Sequence, residues 1–237
     1  MNASSVVRGA RLRCLARLVV AGAALWASVP PLVCAQASSA WVDTFESRLE
    51  ALALMQTLNA DILGSSSATQ ILERWCHDHR MADEPKIIAR LVTGVYKAPT
   101  AEQLQRLRVT RTDRVKYRRV ELRCGDHVLS EADNWYVPSR LTAEMNKLLE
   151  TSDTPFGTAV QSLGPYRRTF AVRILWSPLP DGWEQRLQAR PQATTTNALA
   201  IPAALFEHRA ILYTREHSPF SEVDEVYQGQ ILAFPRP

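Results

Sequence analysis

Apolar residues recur at helical spacing through AWVDTFESRLEALALMQTLNADIL (residues 40–63), at Trp41, Phe45, Leu49, Leu52 and Leu58, with Asp43 and Glu46 near the start. GSSSA interrupts the pattern, and Ser66 or Ser67 is placed to cap a second helix, ATQILERWCHDH. KIIARLVTGVY (Lys86 to Tyr96) is β-branched and reads as a strand. A polar, Arg-rich connection with a short helix, AEQLQRL, follows. In VKYRRVELRCGDHVLSEADNWYVP, Tyr117, Arg119, Glu121 and Arg123 alternate with Arg118, Val120, Leu122 and Cys124, and GDH makes the turn of a hairpin. LTAEMNKLLET then puts Leu141, Met145, Leu148 and Leu149 on one helical face. RTFAVRILW (Arg168 to Trp176), HRAILYT and FSEVDEVY are further strands, and RPQATTTNALAIPAAL is a low-charge loop or short helix. No internal repeat or composition break marks a second domain. The pattern predicts an α+β fold of a single domain: an antiparallel sheet flanked by helices that cluster toward the N-terminal half.

The first 35 residues stand apart. Arg8, Arg11, Arg13 and Arg17 precede an apolar run, LVVAGAALWASV, and then PPLVCAQA, with no acidic residue before Asp43. A basic segment, an apolar run of this length and small residues after it read as a secretory signal peptide over residues 1–35, cut after Ala35 or Ala37, leaving a domain of residues 36–237. Val33 before Cys34 argues against a lipoprotein site. The expected location is periplasmic or secreted, with no membrane attachment after cleavage. The formal net charge of +4 then belongs to the leader, since its four arginines leave a mature chain near zero. No basic stripe interleaved with aromatics remains, so a nucleic-acid partner is not expected. Cys76 and Cys124 remain in a compartment that permits disulfides, and the spacing leaves open whether they are bridged or merely buried.

Candidate chemistry falls at three places. In SDTPFGTAV (residues 152–160), Thr154 can cap a helix with Pro155 in its first position, so that the amides of Phe156, Gly157 and Thr158 lack helical acceptors. Gly157 permits close approach, and the whole suits a carboxylate or phosphate. Arg119 shares a sheet face with Tyr117 and Glu121; if that face lines a cavity, Arg119 can grip a carboxylate, and otherwise it pairs with a neighbouring acid. In SEVDEVY, Glu222 and Asp224 share one strand face and Glu225 lies on the other with Val223 and Tyr227. A half-buried carboxylate there can act as acid or base, while exposed acids would only keep an edge strand soluble. WCHDH does not present convergent ligands, and no metal site is expected.

These pieces together resemble the chorismate pyruvate-lyase family. The order that carries the resemblance is the strand YRRVELRC, a turn, VLSEADNWYVPSRLTAEMNKLLETSDTPFG, an R-x-x-L strand, and a last strand ending in E-V-Y. It spans roughly residues 60–232, sharpest in the "VP…LT" and "TPFG" segments. The resemblance implies an antiparallel sheet enclosing a buried, cofactor-free site. Carried over by motif, Arg119 and the Phe156 amide, beside Gly157, hold the substrate carboxylate, and Glu225 serves the far end of the ring as the catalytic acid or base. The spacing after Pro219 is one residue long, which keeps Asp224 and Glu222 open as alternatives. Ala68 stands where the family carries a methionine near the ligand.

The implied reaction eliminates pyruvate from chorismate, or a related enolpyruvyl carboxylate, to give 4-hydroxybenzoate. Chorismate arises in the cytoplasm and this chain reads as exported, so a second expectation stands beside it: a periplasmic module that binds a small aromatic or cyclohexadienyl carboxylate without catalysis. A third is a structural or interaction protein in which DTPFG and Arg119 merely hold a helix to the sheet.

Overall fold

The alternation around GDH becomes a hairpin of β2 (Lys116–Cys124) and β3 (His127–Tyr136), with Cys124 opposite His127 and Gly125 in the left-handed region at φ +53°. A left-handed residue is what a tight antiparallel turn needs and what glycine adopts without steric cost. The computed structural model describes residues 41–185 and 197–235, so the leader expected over 1–35 and most of RPQATTTN lie outside the described residues. The described residues belong to one compact unit.

The hairpin sits inside a six-stranded sheet of order β1-β2-β3-β6-β5-β4, with every neighbouring pair antiparallel. The other strands are β1 (Ile87–Leu91), β4 (Tyr166–Ile174), β5 (Ala204–Tyr213) and β6 (Pro219–Gln228). Several strand boundaries differ from expectation. β1 ends at Leu91 rather than Tyr96: Val92 N still donates to Arg119 O at 2.9 Å, and Gly94 at φ +78° then turns the chain away. β4 begins at Tyr166, two residues early, and β5 at Ala204, four residues early. The earlier starts bring Arg167 and the residues around His208 into the ladder.

Helices α1 (Phe45–Leu63), α2 (Ala68–Asp78), α4 (Ala143–Thr151) and α5 (Phe156–Ala159) contribute to a core with one sheet face. Thr44 caps α1 and Ser67 caps α2, each accepting from a backbone N–H three residues on. The buried stripe of α1 is Ser47, Ala51, Met55, Leu58, Asn59 and Ile62, whereas Leu49, expected inside, is 38% exposed. The stripe is rotated so that Asn59 reaches His208 on the sheet at 2.7 Å. Ile71, Leu72, Trp75 and Cys76 of α2 meet Val120, Leu122 and Ala132 in the same core. A fully buried Leu or Met of this kind contributes about 1.5–3 kcal/mol. Cys76 and Cys124 are both fully buried and form a disulfide, with Cα atoms 6.1 Å apart, tying α2 to β2. The short α3 (Ala101–Arg106) brings Arg106 to the opposite sheet face, where its guanidinium grips Glu222 at 2.7 and 2.8 Å.

Candidate functional site

The site follows from strand parity. On β2, Val120 and Leu122 are buried beneath the helices, and Arg118, two residues earlier, shares their face and is only 5% exposed. Arg119 therefore points the other way. It pairs with Glu131 at 2.6 Å and Asp133 at 3.3 Å on the outer face, where Tyr117 and Lys97 also bond Asp133. Desolvation beside Asp133 pushes the Tyr117 hydroxyl up to about 12. The expectation that Arg119 lies with Phe156 and Gly157 is thus corrected: the cavity is on the core face, and Arg118 is the arginine that reaches it.

That cavity encloses about 40 Å³ between β2, β3, β6, the start of α2 and α5. Arg118, Phe156, Gly157, Arg167 and Glu225 line it, with Ser66, Ser67 and Thr69 at the α2 side. The space holds about three or four waters at roughly 10–15 Å³ of probe-occupied volume each, and is smaller than the ~150 Å³ that admits benzene. A ring therefore enters only if the wall yields, and Ser66, which is exposed, marks the side open to solvent.

Arg118 has an unusual set of partners. Its Nη2 donates to Thr154 O at 3.0 Å, its Nε is buried without a partner, and among the described residues no carboxylate pairs with it. Burial pulls its pKa below the ordinary arginine value, yet a guanidinium stays charged in a protein. Unpaired buried charge costs several kcal/mol.

Arg167 differs in its counter-ion: its Nε is also buried without a partner, but its other end meets a carboxylate. Its side chain is 4% exposed and donates to Glu225 Oε2 at 2.6 Å, and the buried Tyr227 hydroxyl donates to the same oxygen at 2.9 Å. Burial alone would lower the Arg167 pKa, but the charges of Glu225 and Tyr227 and the hydrogen bond to Glu225 together outweigh it, and the net shift is upward. Burial, reinforced by Glu225, pushes the Tyr227 hydroxyl well above its usual value. His208 lies across from Glu225 in the β5–β6 register; its Nε2 meets Asn59 Oδ1 and its Nδ1 has no partner. Desolvation lowers it to about 4, so it is a neutral imidazole at ordinary pH. Of the charged side chains lining the cavity, two are arginines and one is a glutamate, which leaves one uncompensated positive charge.

The SDTPFG stretch reaches the cavity, with its helix start shifted by one residue. Pro155, not Thr154, occupies the N-cap position, and the Thr154 hydroxyl instead accepts from Ser152 Oγ at 2.8 Å. α5 is a single turn of four residues, so its dipole is small and any anion here would depend chiefly on Arg118. Gly157 is nonetheless tightly packed: a Cβ there would stand 3.2 Å from both Ser67 Oγ and Thr69 Oγ1, which would have to give by a few tenths of an ångström.

Glu225 and the two alternatives separate by face. Glu225 lines the cavity, while Glu222 bonds Arg106 and Asp224 bonds Arg209 on the outer side. In WCHDH, His79 stacks between Trp75 and Phe234, at 4.1 and 4.2 Å between ring centroids, and burial lowers its pKa. Both arginines of the cavity wall were missed as site residues from sequence. Arg118 carried a signal, its parity with Val120 and Leu122. Arg167 carried none, because the strand was expected to start one residue after it.

No protein-family model matches the chain. Among solved structures, the effector domain of PhnF from Mycobacterium smegmatis aligns with a TM-score of 0.43 at 14% identity, covering 69% of this chain and 89% of that one. The trehalose repressor (TreR) effector binding domain of Bacillus subtilis aligns at 0.35 and 9%, covering 63% and 96%. Scores and identities this low carry no argument about function. Sequence similarity is much stronger in one case: at 46% identity over 213 residues, 89% of each chain, this protein belongs to the same family as the uncharacterized protein y4mC of Sinorhizobium fredii.

Proposed function

We propose that the chain binds a small aromatic or cyclohexadienyl carboxylate in the cavity between β2 and α2. The observation that carries this reading is Arg118: a buried guanidinium on the cavity wall that, among the described residues, is paired with no carboxylate. A bound carboxylate supplies the missing counter-charge and hydrogen bonds, and in a poorly hydrated site each charge-assisted bond counts for more than in water. Phe156 forms part of the wall, its ring 5.7 Å from that of Tyr136 and 6.2 Å from that of Phe220.

A second reading adds catalysis, and Glu225 favours it. Both bonds to its carboxylate land on Oε2, which leaves Oε1 for a substrate hydroxyl or proton on a wall residue fixed by Arg167 and Tyr227. The resemblance to chorismate pyruvate-lyases implies cleavage of the ring C–O bond. The ring C–H proton passes to the released enolpyruvate, giving pyruvate, and aromatisation drives the step. Little is asked of the protein beyond orientation, one carboxylate and exclusion of water.

One set of measurements tests both. Acetate, benzoate and 4-hydroxybenzoate are titrated against the purified protein and its Arg118→Met variant by calorimetry, and chorismate is incubated with wild type and Glu225→Gln while 4-hydroxybenzoate and pyruvate are followed. Binding of the aromatic acids that is lost in Arg118→Met supports the binding reading. Product formation lost in Glu225→Gln adds the lyase chemistry. Absence of both refutes both. The exported location is likewise a proposal, supported by the leader pattern and the Cys76–Cys124 bridge, and the N-terminal sequence of protein recovered after export tests it.

A further inference from the structure

Asn134 is a polar wall residue to which neither the motifs nor the resemblance gives a role. It stands on β3 directly across from Arg118 on β2, is 4% exposed and lines the same cavity. Ser221, fully buried on β6, donates its hydroxyl to Asn134 Oδ1 at 3.0 Å. That bond engages the amide oxygen. The Nδ2 group, with two N–H donors, has no protein acceptor among the described residues, so it is left for the cavity. Directly opposed residues on one sheet face hold their Cβ atoms about 4.5–5.5 Å apart, close enough for two side chains to serve one carboxylate. At this end of the cavity Arg118 and Asn134 both offer donors, and Glu225 lies one step further along β6, across from Ala132 rather than Asn134.

We propose that Asn134 is the second arm of the carboxylate grip: one ligand oxygen accepts from Arg118 and the other from Asn134 Nδ2, with Ser221 as a positioning residue that orients the amide. This rests on the reading that the cavity takes a carboxylate, and it sets a specificity. A neutral second arm keeps the cavity at one uncompensated positive charge, since Arg167 is balanced by Glu225. The ligand selected at this end is a singly charged carboxylate, and its neutral amide isostere is rejected because it places an N–H₂ group against donors.

Asn134→Asp tests this without changing shape. The new carboxylate can pair with Arg118 and still accept from Ser221, so the variant is expected to fold with an unchanged or raised melting temperature. Calorimetric titrations use benzoate and benzamide against wild type, Asn134→Asp and Ser221→Ala. Wild type is expected to prefer benzoate by at least tenfold. In Asn134→Asp benzoate weakens by at least tenfold and the preference turns toward benzamide, whose amide can donate to Asp and accept from Arg118. Ser221→Ala weakens benzoate several-fold and keeps the preference. Unchanged benzoate affinity in Asn134→Asp, or equal weakening of both probes, overturns the role of Asn134 while leaving the carboxylate site standing. A wild-type protein that binds no aromatic carboxylate instead overturns the underlying reading.

Discussion

Replacing Arg118 by methionine should leave the protein at least as stable as before and abolish carboxylate binding, while the same replacement at Arg167 should be severely destabilising. Both guanidiniums are buried and share a cavity, and the difference lies in their partners. Arg118 has one charge-assisted bond, to Thr154 O, worth about 1.5–3 kcal/mol, set against a buried orphan Nε that costs about 1–3 kcal/mol. Methionine removes both, relieves the cost of the buried charge and adds apolar contact, so the net change lies between about zero and a few kcal/mol of stabilisation. Arg167→Met leaves the Glu225 carboxylate buried without its counter-ion, a loss of about 3–5 kcal/mol. For a chain of this size that lowers the melting temperature by on the order of 10 °C. Urea unfolding of the two variants, with benzoate calorimetry on whichever folds, checks both halves. A loss above about 3 kcal/mol in Arg118→Met would refute the reasoning, because Arg118 would then be a structural residue satisfied by the fold itself.

Three further outcomes follow from the same geometry. His208 titrates near 4 when folded and near 6.5 when unfolded, so the unfolded chain gains a proton the folded chain refuses; stability contributed by the neutral ring is complete above pH 6.5 and falls by up to about 3 kcal/mol as the pH drops to 4. His208→Gln should flatten the pH dependence of the urea midpoint between pH 4.5 and 6.5, and an unchanged slope would show that other groups set it. Changing Cys76 and Cys124 together to serine opens a crosslink of sequence separation 48, for which the chain-entropy model gives about 4 kcal/mol; an unshifted urea midpoint would sink that figure. Arg119→Ala should leave benzoate affinity unchanged and cost less than about 1 kcal/mol, since its ion pairs lie on the outer face and are partly exposed; lost affinity would mean that Arg119 reaches the ligand after all.

The sheet was legible because its signals are local. Period-two alternation and the GDH turn determine the β2–β3 hairpin, and the apolar run of β6 determines its buried face. Strand ends were less legible, since nothing local distinguishes Tyr166 and Arg167 from the preceding loop; the ladder to Leu212 and Tyr213 on β5 is what extends β4 over them. The register of α1 failed for a related reason. A stripe read from Phe45 and Leu49 counts only apolar residues, whereas the buried face admits Asn59, whose partner His208 is 149 positions away.

For the cavity, sequence gave the right strand and turn and the wrong parity on one of them. Arg118 and Arg119 are adjacent and chemically identical, so residue type cannot choose between them; only the face can. The alternation with Val120 and Leu122 already placed Arg118 inside, and assigning the grip to Arg119 required a cavity on the face away from the core. Burial decides against that arrangement, because it is the helix-covered face that excludes water, and charge interactions of a guanidinium are stronger there than on the solvated outer face. The same parity on β6 put Glu225 on the core face with Val223 and Tyr227, and there the register carried it to the cavity. What sequence could not supply is the pairing that distinguishes the two buried arginines. Arg167 is 58 residues from the glutamate that neutralises it, and only the β4-β5-β6 ladder brings them within 2.6 Å. Once that pair is formed, Arg118 is the charge left over, and its lack of a carboxylate partner among the described residues is the reason to look for a ligand.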